Sequence, residues 1–289
     1  MIVERFRNGL RLVLASWKVL RRDREMLVLP ILSALSSLAL LVLVFVGMFA
    51  DDLALIRDGG ELAPPTTGEY VVLGLVSYLL TFITIFFNVA QICAADDRMA
   101  GGDPTVRSAI SHATKHLSAI APWALVSMVV SMVLRAIEER GGWVGKIAAG
   151  FLGLAWVLIT YLILPILVLE GIGVRDAIAR SKDLFVKTWG ETVSGELGMS
   201  LVTFVAVLVP LPFLLLIGGG GQPVMVAIAV ALGLAWVLFV ATVMGALNMV
   251  FRVALYRYAS DGETPEGFAD IDFGHVFPPK RQRRLFGTT

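Results

Sequence analysis

The chain contains six long apolar runs, and these limit the folds available to it more than any other feature of the sequence. About 20 consecutive apolar residues in a helix cross the roughly 30 Å hydrocarbon core of a bilayer. The mean hydropathy is +0.81 and only 16% of residues are charged, against about 25% in soluble domains. The sequence therefore predicts an all-α, polytopic transmembrane helical bundle with spans at 26–50, 70–95, 117–134, 147–169, 197–217 and 223–250.

Lysine and arginine are distributed unevenly among the segments that flank these runs. Of the 24 basic residues, 20 fall in the two termini and the 96–116 and 170–193 segments, which six spans place on one side. Basic residues accumulate on the cytoplasmic side of membranes. We therefore predict a multi-pass protein of the cell (inner) membrane with both termini in the cytoplasm. Residues 1–259 are predicted to form one transmembrane domain, and 260–289 a cytoplasmic basic tail.

Three of the runs share a short phrase that indicates an internal repeat. Leu-Gly-Leu is centred on Gly74, Gly153 and Gly233, at spacings of 79 and 80 residues. We predict three repeats along the chain, each an amphipathic interfacial helix followed by a helical hairpin. We expect a tryptophan to mark each interfacial segment: Trp17, Trp123 and Trp189.

Polar residues recur inside the apolar runs at helical spacing. Side chains three and four residues apart share one face of a helix. In the second and sixth runs these residues form a polar stripe: Thr81, Thr84, Asn88, Gln91, Thr242 and Asn248. Lipid cannot satisfy a carboxamide, so this face is predicted to turn toward protein or water. Two interpretations stay open, namely hydrogen bonds that clamp helices together and the lining of a path for a solute.

Several longer motifs connect the chain to a known group of proteins. They are TFITIFFN at 81–88, GGDPTV at 101–106, EGIGVRDAIARS at 170–181, KTWGE at 187–191 and YRYASDGETPEGF at 256–268. On these motifs the chain resembles an uncharacterised, domain-of-unknown-function family of prokaryotic six-span integral membrane proteins. The resemblance covers nearly the whole chain and implies the six-span architecture. It implies no reaction, ligand or site.

The residues needed for membrane-embedded catalysis are missing from the apolar runs. Their cores hold no charged residue, which argues against a proton-coupled transporter. There is no HExxH sequence for a zinc protease, and no histidine lies within a run to activate a serine. His112 and His116 share a helix face, but two ligands without a third make a poor metal site. We therefore predict no enzyme activity, no cofactor and no metal.

Two smaller features carry local predictions. In the GGDP turn, Asp103 is expected to cap a helix whose first residue is Pro104. Pro165, Pro210 and Pro212 lie inside apolar runs and are expected to kink their helices.

The C-terminal tail carries a dense basic cluster, Lys280, Arg281, Arg283 and Arg284. Such clusters attract anionic lipid headgroups with about 1 kcal/mol per charge near the surface. The same charges also serve as a topology signal. The predicted partners are therefore the bilayer with its anionic headgroups and further copies of the chain in a homo-oligomer, and no nucleic acid.

These features support two classes of function. The first hypothesis is a passive channel or facilitator for ions or small solutes, lined by the polar helix faces. The alternative is a non-enzymatic membrane scaffold or lipid-interacting partner protein. A wet cavity at Asn88 and Asn248 would favour the channel, whereas a dry interior would favour the alternative.

Overall fold

The computed structural model describes residues 2–57, 66–187, 189–219, 222–262 and 268, and within these ranges all regular structure is helical. It confirms six helical segments long and apolar enough to cross a membrane. They are Glu25–Met48, Thr67–Met99, Leu117–Arg140, Gly142–Glu170, Gly198–Gly218 and Pro223–Asp261. The side of the membrane that each terminus occupies stays a prediction.

The chain forms two compact units. The central unit comprises Asp23–Lys182, and the terminal unit comprises Met1–Arg22 together with Asp183–Thr289.

The central unit contains two helical hairpins. The first joins α2 (Val28–Arg57) to α3 (Thr67–Met99), and the second joins α5 (Leu117–Arg140) to α6 (Gly142–Ile159). Helix α3 begins where it does because Thr66 forms a capping box with Glu69, in which each side chain accepts the other's backbone N–H. Helix α3 also packs against α5 and against the short helix α4 (Val106–Lys115).

The fourth span is interrupted. Helix α6 ends at Ile159, and the chain resumes as one turn, α7 (Ile163–Pro165), and a π-helical turn over Ile166–Glu170. Pro165 explains the position of the break, because a proline ring inside a helix clashes with the carbonyl four residues earlier, here that of Tyr161. One backbone group at the break has a side-chain partner, because the buried Ser181 hydroxyl accepts the Leu162 N–H at 3.3 Å.

The fifth span is also broken at proline, in the terminal unit. Helix α9 (Trp189–Leu208) is followed after a turn by α10 (Leu211–Gly218), which forms a hairpin with α11 (Pro223–Asp261). Pro210 has no N–H to donate to the carbonyl of Ala206. The indole Nε1–H of Trp236 donates to that carbonyl instead, at 2.9 Å. The expected kinks at Pro165 and Pro210 are thus helix breaks.

An amphipathic helix precedes each hairpin in the chain. These helices are α1 (Ile2–Arg22), α4 and α8 (Val174–Lys187). The expectation that a tryptophan lies in each of them was wrong at two positions. Trp123 lies inside the spanning helix α5, because the turn at His116 ends α4 early, and Trp189 is the first residue of α9.

The repeated glycines have different surroundings. A Cβ on Gly153 would lie 3.6 Å from Leu134, and one on Gly233 would lie 3.2 Å from Leu214, so both glycines lie at close helix–helix contacts of their hairpins. A Cβ on Gly74 would meet nothing within 4 Å. The threefold repeat therefore stays a prediction.

Candidate functional site

The threonines of the polar stripe satisfy their hydroxyls within their own helices. Thr81 donates to the Ser77 carbonyl at 2.8 Å and Thr84 to the Leu80 carbonyl at 2.9 Å. Thr242 does the same toward Leu238 at 2.8 Å. A hydroxyl bonded to the preceding turn needs neither water nor a second helix. These three residues are therefore compatible with lipid, with protein or with a cavity.

The two carboxamides of α3 have different environments. Asn88 is half-buried and makes no side-chain hydrogen bond to any residue that the structure describes. Gln91 is only 3% exposed, and its Nε2 has no hydrogen-bond partner in the described part of the chain. A buried amide donor without a partner costs about 1–3 kcal/mol. Gln91 is thus the residue of the stripe with the strongest unmet requirement for a polar partner.

Asn248 lies in a cleft between α9 and α11 of the terminal unit. The cleft has a volume of about 550 Å³. Asn248 Oδ1 accepts the Nε–H of Arg252 at 2.7 Å, one turn further along α11. The lining combines hydroxyl, amide and guanidinium groups with methionine and phenylalanine side chains: Met199, Ser200, Thr203, Phe204, Ala241, Met244, Gly245, Asn248, Met249 and Arg252.

The outer face of α1 combines apolar and basic side chains. Leu14 is 52% exposed, and Leu10 and Trp17 on the same face are exposed as well. The opposite face of the helix is buried, with Leu12, Ala15, Ser16, Val19 and Leu20, and α1 packs against α9 and α11. The flank of the exposed face carries the basic residues Arg11, Lys18, Arg21 and Arg22, all exposed. This arrangement is typical of a helix that lies in the headgroup region of a membrane.

The GGDP motif builds a turn between α3 and α4 that differs from the predicted one. Thr105, and not Asp103, caps α4 through a capping box with Ser108, so Pro104 precedes the helix. Asp103 instead accepts a hydrogen bond from Arg98 Nη1 at 3.3 Å. Arg98 also donates to the Gly102 carbonyl at 2.9 Å. Because Asp103 is bound to Arg98, it does not cap the first turn of α4.

A buried carboxyl lies at the start of the first span. Asp23 is buried, and this burial raises its pKa, while the Arg98 guanidinium acts in the opposite direction. Its neighbour Glu25 accepts the backbone N–H of Val106 at 2.9 Å, which joins the start of the first span to the start of α4. These contacts give the turn a structural role in the central unit.

The histidine pair shows no metal-binding geometry. Within the described ranges, no three histidine, cysteine or acidic side chains are grouped as metal ligands. Burial lowers the pKa of His116, and the neighbouring His112 and Lys115 act in the same direction. Both causes disfavour the charged form of the imidazole.

The structure does not describe the basic tail, so Lys280, Arg281, Arg283 and Arg284 lie outside the described residues. Sequence reasoning predicted an amphipathic interfacial helix around Trp17 but did not name the residues of its exposed face, and it missed the cleft and the Trp236–Ala206 hydrogen bond. Helical periodicity in 10–22 could have revealed that face. The other two require knowledge of which helices pack together.

The described part of the chain contains six membrane-length helices, threonine hydroxyls bonded within their own helices and an amphipathic helix before each hairpin. These features define a multi-pass α-helical membrane protein. The chain belongs to a family of unknown function, DUF6159, which matches residues 67–268. This match confirms the resemblance to an uncharacterised family. Comparison with curated proteins and with solved structures gives no match.

Proposed function

We propose that this protein is a non-enzymatic membrane scaffold that gathers anionic lipid headgroups at the cytoplasmic leaflet. One observation carries the proposal, the exposed Leu10–Leu14–Trp17 face of α1 with basic residues along its flank. The apolar side chains enter the boundary between headgroups and acyl chains, and the basic side chains attract phosphate groups. The basic tail adds charge on the same side.

The hydroxyl geometry also favours a scaffold. Thr81, Thr84 and Thr242 bond their own helices, so these three of the six stripe residues create no demand for a wet path. The half-buried amide of Asn88 supports self-association, since two copies of an asparagine in apposed spans can pair their amides.

The test compares lipid selectivity in vesicles that contain phosphatidylglycerol and phosphatidylcholine. Electron spin resonance with nitroxide-labelled lipids measures the fraction of each lipid held at the surface of the protein. We expect the full chain to prefer the anionic lipid. The triple variant Arg11→Gln, Lys18→Gln, Arg21→Gln should reduce this preference several-fold, because each basic residue contributes up to about 1 kcal/mol.

A charge-conserving triple variant is the matched control for that experiment. Arg11→Lys, Lys18→Arg, Arg21→Lys keeps every positive charge and should keep the lipid preference of the native chain. Equal selectivity for all three proteins would contradict the role given to α1.

A channel is the second candidate, and one observation favours it. The buried Gln91 amide has no partner in the described chain, and α3 packs in the central unit against α7 and the π-helical turn of the interrupted fourth span. Interrupted helices within a membrane frequently mark ion or solute sites.

A substitution at Gln91 separates the two candidates. For a scaffold we expect Gln91→Met to raise the free energy of unfolding by about 1 kcal/mol, because it removes a buried donor without a partner. Ion and solute flux in liposomes should stay at the level of empty vesicles for both proteins. Thr84→Val removes an exposed hydroxyl that bonds its own helix and should change neither measurement. Flux through the native chain that Gln91→Met abolishes would establish the channel instead.

A further inference from the structure

The cleft between α9 and α11 has a polar end and an apolar end. The two helices run antiparallel, because Ala206 of α9 contacts Trp236 of α11, while the earlier α9 residues 199–204 line the cleft with the later α11 residues 241–252. In this arrangement Arg252 and Asn248 of α11 and Ser200 of α9 lie toward one end of the cleft, and Ala241 and Phe204 lie toward the other. Arg252 is only two residues beyond the sixth apolar run at 223–250, so the polar end is at headgroup depth.

We propose that this cleft is a binding site for one anionic phospholipid. The phosphate is held at the polar end by the Arg252 guanidinium together with the Ser200 hydroxyl. The start of an acyl chain lies along Met244 and Phe204. The site is separate from the α1 face and does not depend on the scaffold proposal.

Charge and shape both select this class of ligand. Guanidinium groups form strong, frequently bidentate hydrogen bonds with phosphate oxygens. The Asn248 carboxamide accepts the Arg252 Nε–H at 2.7 Å and so orients the guanidinium within the cleft. Basic pockets between spans at the cytoplasmic side are known sites for anionic headgroups. The apolar wall, with Phe204 61% exposed, suits an acyl chain and does not suit a free inorganic anion.

Gly245 gives a way to close the site without removing its charge. It lines the cleft, and a Cβ built on it would meet nothing within 4 Å. Gly245→Ala therefore adds a methyl group without a clash, and the larger side chain of Gly245→Leu extends into the cleft. Both changes raise helix propensity, so both variants should fold.

Native mass spectrometry of the full chain in detergent provides the test. The protein is delipidated and titrated with phosphatidylglycerol, phosphatidylcholine or inorganic phosphate. We expect one phosphatidylglycerol per chain to bind at least tenfold more tightly than phosphatidylcholine. Arg252→Gln should reduce that affinity about tenfold, Gly245→Leu should abolish binding, and Gly245→Ala should weaken it less than Gly245→Leu. Gly150→Leu, the same change at an exposed glycine of α6 outside the cleft, should bind like the native chain.

Two results would argue against the site. Unchanged phosphatidylglycerol affinity in both Arg252→Gln and Gly245→Leu would overturn the proposal. Inorganic phosphate that binds as tightly as the lipid would show that a free anion is the ligand and would overturn the assignment to lipid. If Gly245→Leu fails to fold in a thermal melt, the phosphatidylglycerol preference and its loss in Arg252→Gln still decide the question.

Discussion

Trp123→Ala should lower the free energy of unfolding by about 3 kcal/mol, the largest effect we expect from a single substitution. The indole is 5% exposed and stacks on Trp156 with ring centroids 5.7 Å apart. Removing it leaves a cavity and forfeits the dispersion contacts of a large aromatic ring. Because lipid is itself apolar, the loss of stability comes more from lost packing than from exposure of apolar surface to water. The expected loss therefore lies at the lower end of the range for buried tryptophans.

Trp143→Ala is the matched control for this prediction. Trp143 is 74% exposed near the start of α6, and its replacement should change the free energy of unfolding by less than about 0.5 kcal/mol. Unfolding of each variant by sodium dodecyl sulfate in mixed micelles provides the measurement. Equal losses for the two variants would show that the Trp123–Trp156 stack does not stabilise the central unit.

Trp236→Phe should lower the free energy of unfolding by about 2 kcal/mol, because it leaves the Ala206 carbonyl without a donor in the apolar interior of the membrane. Phenylalanine keeps the aromatic ring, including most of its contact with Phe239 at a centroid separation of 5.7 Å. The loss therefore reports the hydrogen bond rather than the packing.

Pro210→Ala gives this prediction a direct test. Alanine at 210 supplies the backbone N–H that Pro210 lacks, and that N–H can donate to Ala206. In the double variant Pro210→Ala, Trp236→Phe we expect most of the lost stability to return. A double-mutant cycle measured in the same micelles should give a coupling free energy of at least about 1 kcal/mol. Strictly additive effects would mean that the indole does not replace the missing donor.

The hydroxyl bonds also change how the polar stripe bears on function. In the sequence alone, a stripe of threonines and asparagines suggests a wet path, because each polar side chain in a span is assumed to need a hydrogen-bond partner from water or another helix. The structure shows that Thr81 and Thr84 meet this requirement within α3. Only the amides then need something outside their own backbone, and they differ, since Asn248 has Arg252 while Gln91 Nε2 has no partner in the described chain.

The two positions proposed to bind lipid serve different purposes. In the scaffold proposal, the α1 face on the surface of the terminal unit attracts anionic lipid in general. The cleft at Arg252 has the volume and chemistry to select one molecule. Loss of lipid selectivity in the α1 variants with retained binding in the cleft, or the reverse, would separate general lipid attraction from a specific site.

Sequence alone determined the six spans, since the requirement for about 20 apolar residues is local and the runs satisfy it without help from other segments. It also located the polar stripe, because helical periodicity fixes which residues share a face. It placed the helix cap at GGDP wrongly, because Asp103 binds Arg98 and Thr105 caps α4 instead.

Tertiary structure alone decided which polar groups are satisfied and which are not. Whether the Ala206 carbonyl freed by Pro210 finds a donor depends on Trp236, which is 30 residues from Ala206 in the chain and adjacent only because α11 packs against α9. The cleft at Asn248 and the burial of Gln91 likewise arise from the packing of helices that are distant in sequence. Apolar length is a property of each segment, whereas the pairing of polar groups is a property of the contacts between segments.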